Sequence, residues 1–230
     1  MFNSENRLLV QARSGRWLPP VWVVIPLAFL MPLISSLGGA PALVFNVMRR
    51  VANPADLSGA DAATIMRLMF PQTPLEQVVY LTTSFGGVFV LLWLWVALVE
   101  KRPFRSLGLA GKGAAARFGL GLAGGGLAFG SVVGLLYLAG GVTAGAEFWQ
   151  PEAVAGGVLV LFGWLVQGPA EELVFRGWML PVVSARYGVW PGALLSAAAF
   201  AALHSFNPGL GMVAALNLGL FGLFAALYAL

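Results

Sequence analysis

No cysteine occurs in the chain, histidine occurs once, and charge is scarce: only 10% of the 230 residues are Asp, Glu, Lys or Arg, while 59% are hydrophobic. The absence of cysteine excludes disulfides, zinc–thiolate centres and thiol nucleophiles. The scarcity of charge excludes a wettable exterior, which in a soluble domain takes about 25% charged residues. Such a chain belongs in a bilayer. No long charge run and no Pro-rich or Ser-rich linker occurs, so it reads as one domain. No basic face interleaved with aromatics occurs either, which leaves nucleic acid out as a partner.

A hydrocarbon core of about 30 Å takes about 20 apolar residues of helix. Long uncharged runs lie at 17–47, 78–99, 118–146, 153–170 and 187–230. Gly38, Gly39 and Pro41 are expected to break the first near Leu37, and Asn207, Pro208 and Gly209 to split the last into two helices. The expectation is an all-α polytopic membrane bundle of about six transmembrane helices. Trp17, Trp93, Trp95, Trp149 and Trp190 fall near span ends, as an interfacial belt requires. Arg7, Arg13 and Arg16 precede the first run, and Ala40-Pro41-Ala42 resembles a signal-peptide cleavage site. The run is nevertheless longer than a signal peptide's apolar core of about 7 to 15 residues, so it is read as an uncleaved helix.

Orientation follows from the bases. Arg7, Arg13, Arg16, Lys101, Arg102, Arg105, Lys112, Arg117 and Arg186 fall on one side, and Arg49, Arg50 and Arg67 on the other. That bias predicts a cytoplasmic N-terminus in the cell membrane, with the bases attracting anionic lipid headgroups. Arginine outnumbers lysine eleven to two, the composition of a GC-rich, bacterial genome. Ser58 with Asp61, followed by Ile65, Met66, Leu68, Met69 and Phe70, predicts a short capped helix in the outer loop, either on the membrane surface or packed as an ordinary loop helix. Gly126, Gly130 and Gly134 recur every four residues, a pattern for close helix packing. Gly119, Gly121 and Gly124 have dinucleotide-fingerprint spacing, but no strand precedes them and they would lie in lipid.

Ionisable groups at membrane depth are costly and mark functional sites by default. Here Glu171, Glu172, Arg176 and the lone His204 cluster. On a helix Glu172 and Arg176 are four apart and form an ion pair. Glu171 is then expected on another face, with Gly168 and Phe175, free for other work. Glu171 and His204 are equidistant from Tyr187–Gly188, beside Pro191. An antiparallel helix pair turning there would bring them level, roughly 24 Å from the turn. Pro169 should kink the helix just before the glutamates. A carboxylate and an imidazole in a partly hydrated cavity can activate water. The same charges also suit a structural ion pair, a proton relay or transport. Paired inverted repeats, the mark of transport, are absent from the sequence.

Glu171-Glu172-Leu173-Val174-Phe175-Arg176-Gly177, followed by Phe200-Ala201-Ala202-Leu203-His204, resembles the CPBP family of intramembrane proteases, which includes type II CAAX prenyl endopeptidases and bacteriocin-immunity relatives. Both the Glu-Glu-x-x-x-Arg and the Phe-x-x-x-His motifs are complete, and Phe104-Arg105-Ser106-Leu107-Gly108-Leu109 looks like the family's lead-in. The resemblance covers 102–230, leaving 1–101 as N-terminal spans with an outer loop. It implies hydrolysis of a peptide bond in a peptide or membrane-protein substrate, with Glu171 and His204 as the water-activating pair. It also admits a non-catalytic binding or immunity role.

The family's further His-x-x-x-Asn motif does not occur in the sequence, so impaired activity of the 230-residue chain is expected, with Glu171 and His204 facing one another across an open cleft. Asn217 is a polar residue available on the last helix, read as a helix contact. Serine chemistry would need Ser131 or Ser205 beside the only histidine. The family is often called metalloprotease; zinc, if bound, would sit on Glu171 and His204. That set is thin against the usual three protein ligands, and metal-free water activation is preferred.

Overall fold

The structure, a computed structural model, describes residues 6–51, 57–109, 113–143, 145, 149–205, 207 and 209–230. Pro208, Lys112 and Ala146, which entered the reading of turns, bases and span limits, lie outside the described residues. Among those residues every regular element is helical. The order is α1 (Arg7–Arg13), α2 (Val21–Ser36), α3 (Ala40–Arg50), α4 (Ala62–Met69), α5 (Pro74–Leu94), α6 (Ala114–Leu138), α7 (Pro151–Glu172), α8 (Leu180–Tyr187), α9 (Val189–His204) and α10 (Met212–Ala229).

The polytopic membrane fold expected from composition is the fold observed. Helical stretches long and apolar enough to cross a membrane are Val21–Arg50, Pro74–Glu100, Ala114–Leu138, Pro151–Tyr187 and Met212–Ala229, and the shorter apolar α9 supplies the sixth. α5 pairs with α7 and α2, and α9 pairs with α10 and α8. The core lies where α2, α5 and the end of α7 meet, around the fully buried Trp178, Phe175, Val24, Val88 and Leu92.

The first run does not end at Leu37. A single 3-10 turn, Leu37–Gly39, joins α2 to α3, and Pro41 sits in the first turn of α3, where its missing N–H costs nothing. Gly38 and Gly39 act as contact residues rather than breakers: a Cβ on either would strike the Thr83 carbonyl or the Ser84 hydroxyl of α5. In the outer loop it is Asp61, not Ser58, that caps α4, accepting from Thr64 N–H at 2.7 Å. α5 begins with a capping box of Thr73 and Glu76. Glu76 also pairs with Arg49 and Arg50, and Arg50 donates to the Leu68 and Phe70 carbonyls, so the two outer bases staple the loop.

Two further expectations give way. α6 buries none of its residues, and a Cβ at Gly126, Gly130 or Gly134 would meet nothing within 4 Å. An apolar helix satisfies its own backbone and needs no protein partner in lipid, so small residues permit close packing without enforcing it. Arg102, in the loop after Glu100, is 3% exposed and not open to lipid headgroups, and Trp95 is half-buried beside it. Both are turned inward onto Glu100, whose side chain is 0% exposed.

That inner network closes the end of α5. The helix relaxes into a π-helical stretch, Trp95–Glu100, and ends at Lys101, the one described non-glycine residue with positive φ (57°). Glu100 accepts from Trp95 Nε1 at 2.8 Å, Trp178 Nε1 at 2.6 Å and Arg102 Nε at 2.6 Å. Arg102 in turn donates to Ser106 Oγ at 2.7 Å. Because Trp178 lies two residues beyond Arg176, this knot holds the far end of the segment that carries the glutamates.

Candidate active site

Glu171 and Glu172 are the last residues of α7, and the chain continues without a break into a second π-helical stretch, Leu173–Met179, all seven residues of which are buried. Pro169 lies inside α7, and the irregularity in hydrogen bonding falls after the glutamates. π-Helical turns leave carbonyls out of the regular ladder and concentrate at functional sites. Here the Phe175 carbonyl takes the Leu180 N–H five residues on and also accepts from Ser196 Oγ of α9 at 2.9 Å, which fixes α9 against the motif segment.

α8 ends at Tyr187, Gly188 turns with φ 102°, and α9 starts at Val189, so the hairpin falls at the midpoint between Glu171 and His204. The two side chains meet: His204 Nε2 lies 3.8 Å from Glu171 Oε2. That gap is too long for a direct hydrogen bond and suits one bridging water. His204 Nδ1 is 2.8 Å from the Phe200 carbonyl. A carbonyl can only accept, so Nδ1 carries a proton and Nε2 is the nitrogen turned to Glu171. The Phe200 ring, 4.4 Å from the imidazole, packs beside it.

The two glutamates diverge, with one detail corrected. Gln167, not Gly168, shares the face of Glu171, and its amide donates to Glu171 Oε1 at 2.9 Å. Gly168 lines the cavity on the Glu172 side, and Phe175 is packed edge-on against Phe200 in the core. Gln167 could have been found: it is a lone amide in an apolar span, one helical turn before a carboxylate. Asn207, read from sequence only as a turn residue, lines the same cavity as Glu171 and His204. That cavity, about 470 Å³, is walled by Phe29, Pro32, Leu33 and Ser36 of α2 and Phe85 of α5. The N-terminal spans thus furnish the wall facing the pair. Asn217 does not reach it and is exposed on α10.

Glu172 and Arg176 face a second cavity, of about 520 Å³, across the helix. Their atoms approach to 3.1 Å, but Glu172 is half exposed while Arg176 is 4% exposed. Arg176 reaches beyond its carboxylate, donating to the Gly222 carbonyl of α10 at 3.4 Å and stacking 4.3 Å above the Phe200 ring. The ring beside His204 is therefore clamped from behind by the motif arginine. Ser131 and Ser205 are bonded to carbonyls of their own helices, Leu127 and Ala202, and neither is directed to His204.

Among the described residues, a metal at this site would find two protein donors. Glu171 and His204 Nε2 offer two ligands, Glu172 points into the other cavity, and the described residues contain no group of three His, Asp or Glu. Catalytic zinc takes three protein ligands.

A helical membrane bundle in which a carboxylate and an imidazole from an antiparallel helix pair meet at a cavity is the class of protein this geometry defines. Residues 153–230 match the family model described as "Rce1-like: Type II CAAX prenyl endopeptidase Rce1-like". The resemblance to CPBP proteases is thereby shown over the segment holding both motifs, while the lead-in at 104–109 lies outside the matched residues. No curated protein and no solved structure matches the chain.

Proposed function

We propose that the chain is an intramembrane endopeptidase of the CAAX-protease type, seated in the cell membrane with its N-terminus in the cytoplasm and acting on a peptide or membrane-protein segment. The observation that carries this reading is the 3.8 Å approach of Glu171 to His204, with Nδ1 held by the Phe200 carbonyl. A water between the two acceptors donates one proton toward Glu171 and the other toward Nε2. Glu171 removes the first proton as the water oxygen bonds to the scissile carbonyl carbon. The resulting tetrahedral species expels the amine, which takes the proton back from Glu171 as the C–N bond breaks. Gln167 aims the carboxylate, Arg176 with Glu172 holds the motif segment, and no metal is required.

The test is cleavage of a quenched-fluorescent peptide library by the purified chain in proteoliposomes, read against the reduced basal rate expected of a sequence without His-x-x-x-Asn. Glu171→Gln and His204→Ala are expected to lower the rate by about 10²- to 10⁴-fold, the usual range for a lost acid–base group. A zinc chelator is expected to leave the rate unchanged. Full activity in Glu171→Gln would sink the mechanism. A cellular role that survives Glu171→Ala would assign the cavity to binding, as in the immunity relatives.

A further inference from the structure

We propose that the chain holds one anionic glycerophospholipid in a built site at the ends of α2 and α5, independent of the proteolytic reading. Arg16, Trp17, Val99 and Lys101 line a pocket of about 460 Å³. Its two walls come from distant parts of the chain and are fastened together. Arg16 N–H donates to the Glu100 carbonyl at 2.8 Å, and a Cβ at Gly15 would lie 2.8 Å from that same oxygen. Trp17 leans on Trp95 with ring centroids 6.1 Å apart, and Trp95 is bonded to Glu100. The left-handed conformation at Lys101, a position that takes glycine by default, sets an ammonium at the pocket.

The adjacent carboxylate does not cancel these charges. Glu100 is fully buried and neutralised by Arg102, so two exposed cations face the pocket without a competing anion among its lining residues. The pocket also continues into an apolar groove. Val99 lines both, and the groove runs between α2 and α5 past Leu98, Leu94, Ile34 and Leu30, all exposed. From Leu91 to Val99 it extends about 12 Å along α5. Two cations and an indole at one end, and an apolar groove at the other, match a phosphate headgroup and its chain.

The test is the relative association of spin-labelled phosphatidylglycerol and phosphatidylcholine with the protein reconstituted in phosphatidylcholine vesicles. The unaltered chain is expected to favour phosphatidylglycerol. Arg16→Gln with Lys101→Gln should reduce that preference roughly fivefold per cation removed. Arg7→Gln with Arg105→Gln, which removes equal charge outside the pocket, should change it far less. Leu30→Trp with Leu94→Trp, filling the groove, should weaken phosphatidylglycerol binding while the cations remain. Equal losses in the pocket and control variants would show a diffuse field instead of a site. Displacement of the lipid by millimolar inorganic phosphate would show an anion pocket without a lipid function. Either result, or an unchanged preference in the pocket variant, overturns the proposal.

Discussion

Glu100 and Glu171 are both carboxylates on helical stretches long and apolar enough to cross a membrane, each with a cationic or ionisable partner, yet the fold treats them in opposite ways. Glu100 is sealed: two indoles and Arg102 surround it, and only one nitrogen of the knot, Arg102 Nη2, lacks a partner. Glu171 is left partly open, 14% exposed, with one amide bond from Gln167 and an imidazole held just beyond hydrogen-bond reach. A fully buried carboxylate held by three donors has no face open to a water or a substrate. An under-coordinated one beside a cavity has, which is the physical distinction between a structural charge and a chemical one.

The sharpest way to break this comparison is to remove Glu100. Glu100→Ala strands the Arg102 guanidinium in a buried site and is expected to cost about 3 to 5 kcal/mol. Glu171→Gln, in contrast, should fall within about 0.5 kcal/mol of the parent. Denaturation in detergent micelles followed by tryptophan fluorescence measures both, and equal losses would erase the distinction. Arg176→Met should lie between them, at about 2 kcal/mol, because its carboxylate is half solvated while its ring stacking and its bond to α10 are lost.

Gln167→Leu sharpens the chemical side. Losing a charge-assisted bond that orients Glu171 is expected to lower the cleavage rate about tenfold with little change in stability, since the span becomes more apolar. A rate unchanged in Gln167→Leu would leave Glu171 oriented by His204 alone. The smallest effect belongs to an exposed carboxylate outside the spans. The hydrogen bonds from Thr64 hold Asp61 below the ordinary aspartate range. A depressed carboxylate stabilises the fold above its unfolded-state pKa and loses that contribution as pH falls through its folded value. Amide exchange at Thr64 should therefore quicken only in strong acid, and Asp61→Asn should remove most of that pH dependence.

Much of the candidate site was legible because its geometry depends on helix periodicity and one turn. The four-residue step from Glu172 to Arg176, and the equal distances of Glu171 and His204 from Gly188, need nothing beyond helical rise and twist. Gln167 was accessible by the same rule. Asn207 was not, because a turn residue has no periodicity to say which cavity its side chain borders. Gly38 and Gly39 misled for a related reason: glycine marks a break and a close contact with the same letter, and only the approach of α5 decides between them.

The sequence by itself determined that this chain lives in a bilayer, that it crosses as helices, and that its scarce ionisable side chains gather at Glu171, Glu172, Arg176 and His204. Those properties come from composition and short-range spacing, which a single helix or hairpin already expresses. Tertiary structure alone decided that α2 and α5 wall the cavity, that Glu100 and Arg102 turn inward to hold Trp178, and that α6 buries none of its residues. In lipid an apolar surface has no driving force to choose one partner over another, so which helices meet depends on the shape and polar bonds of the whole assembly.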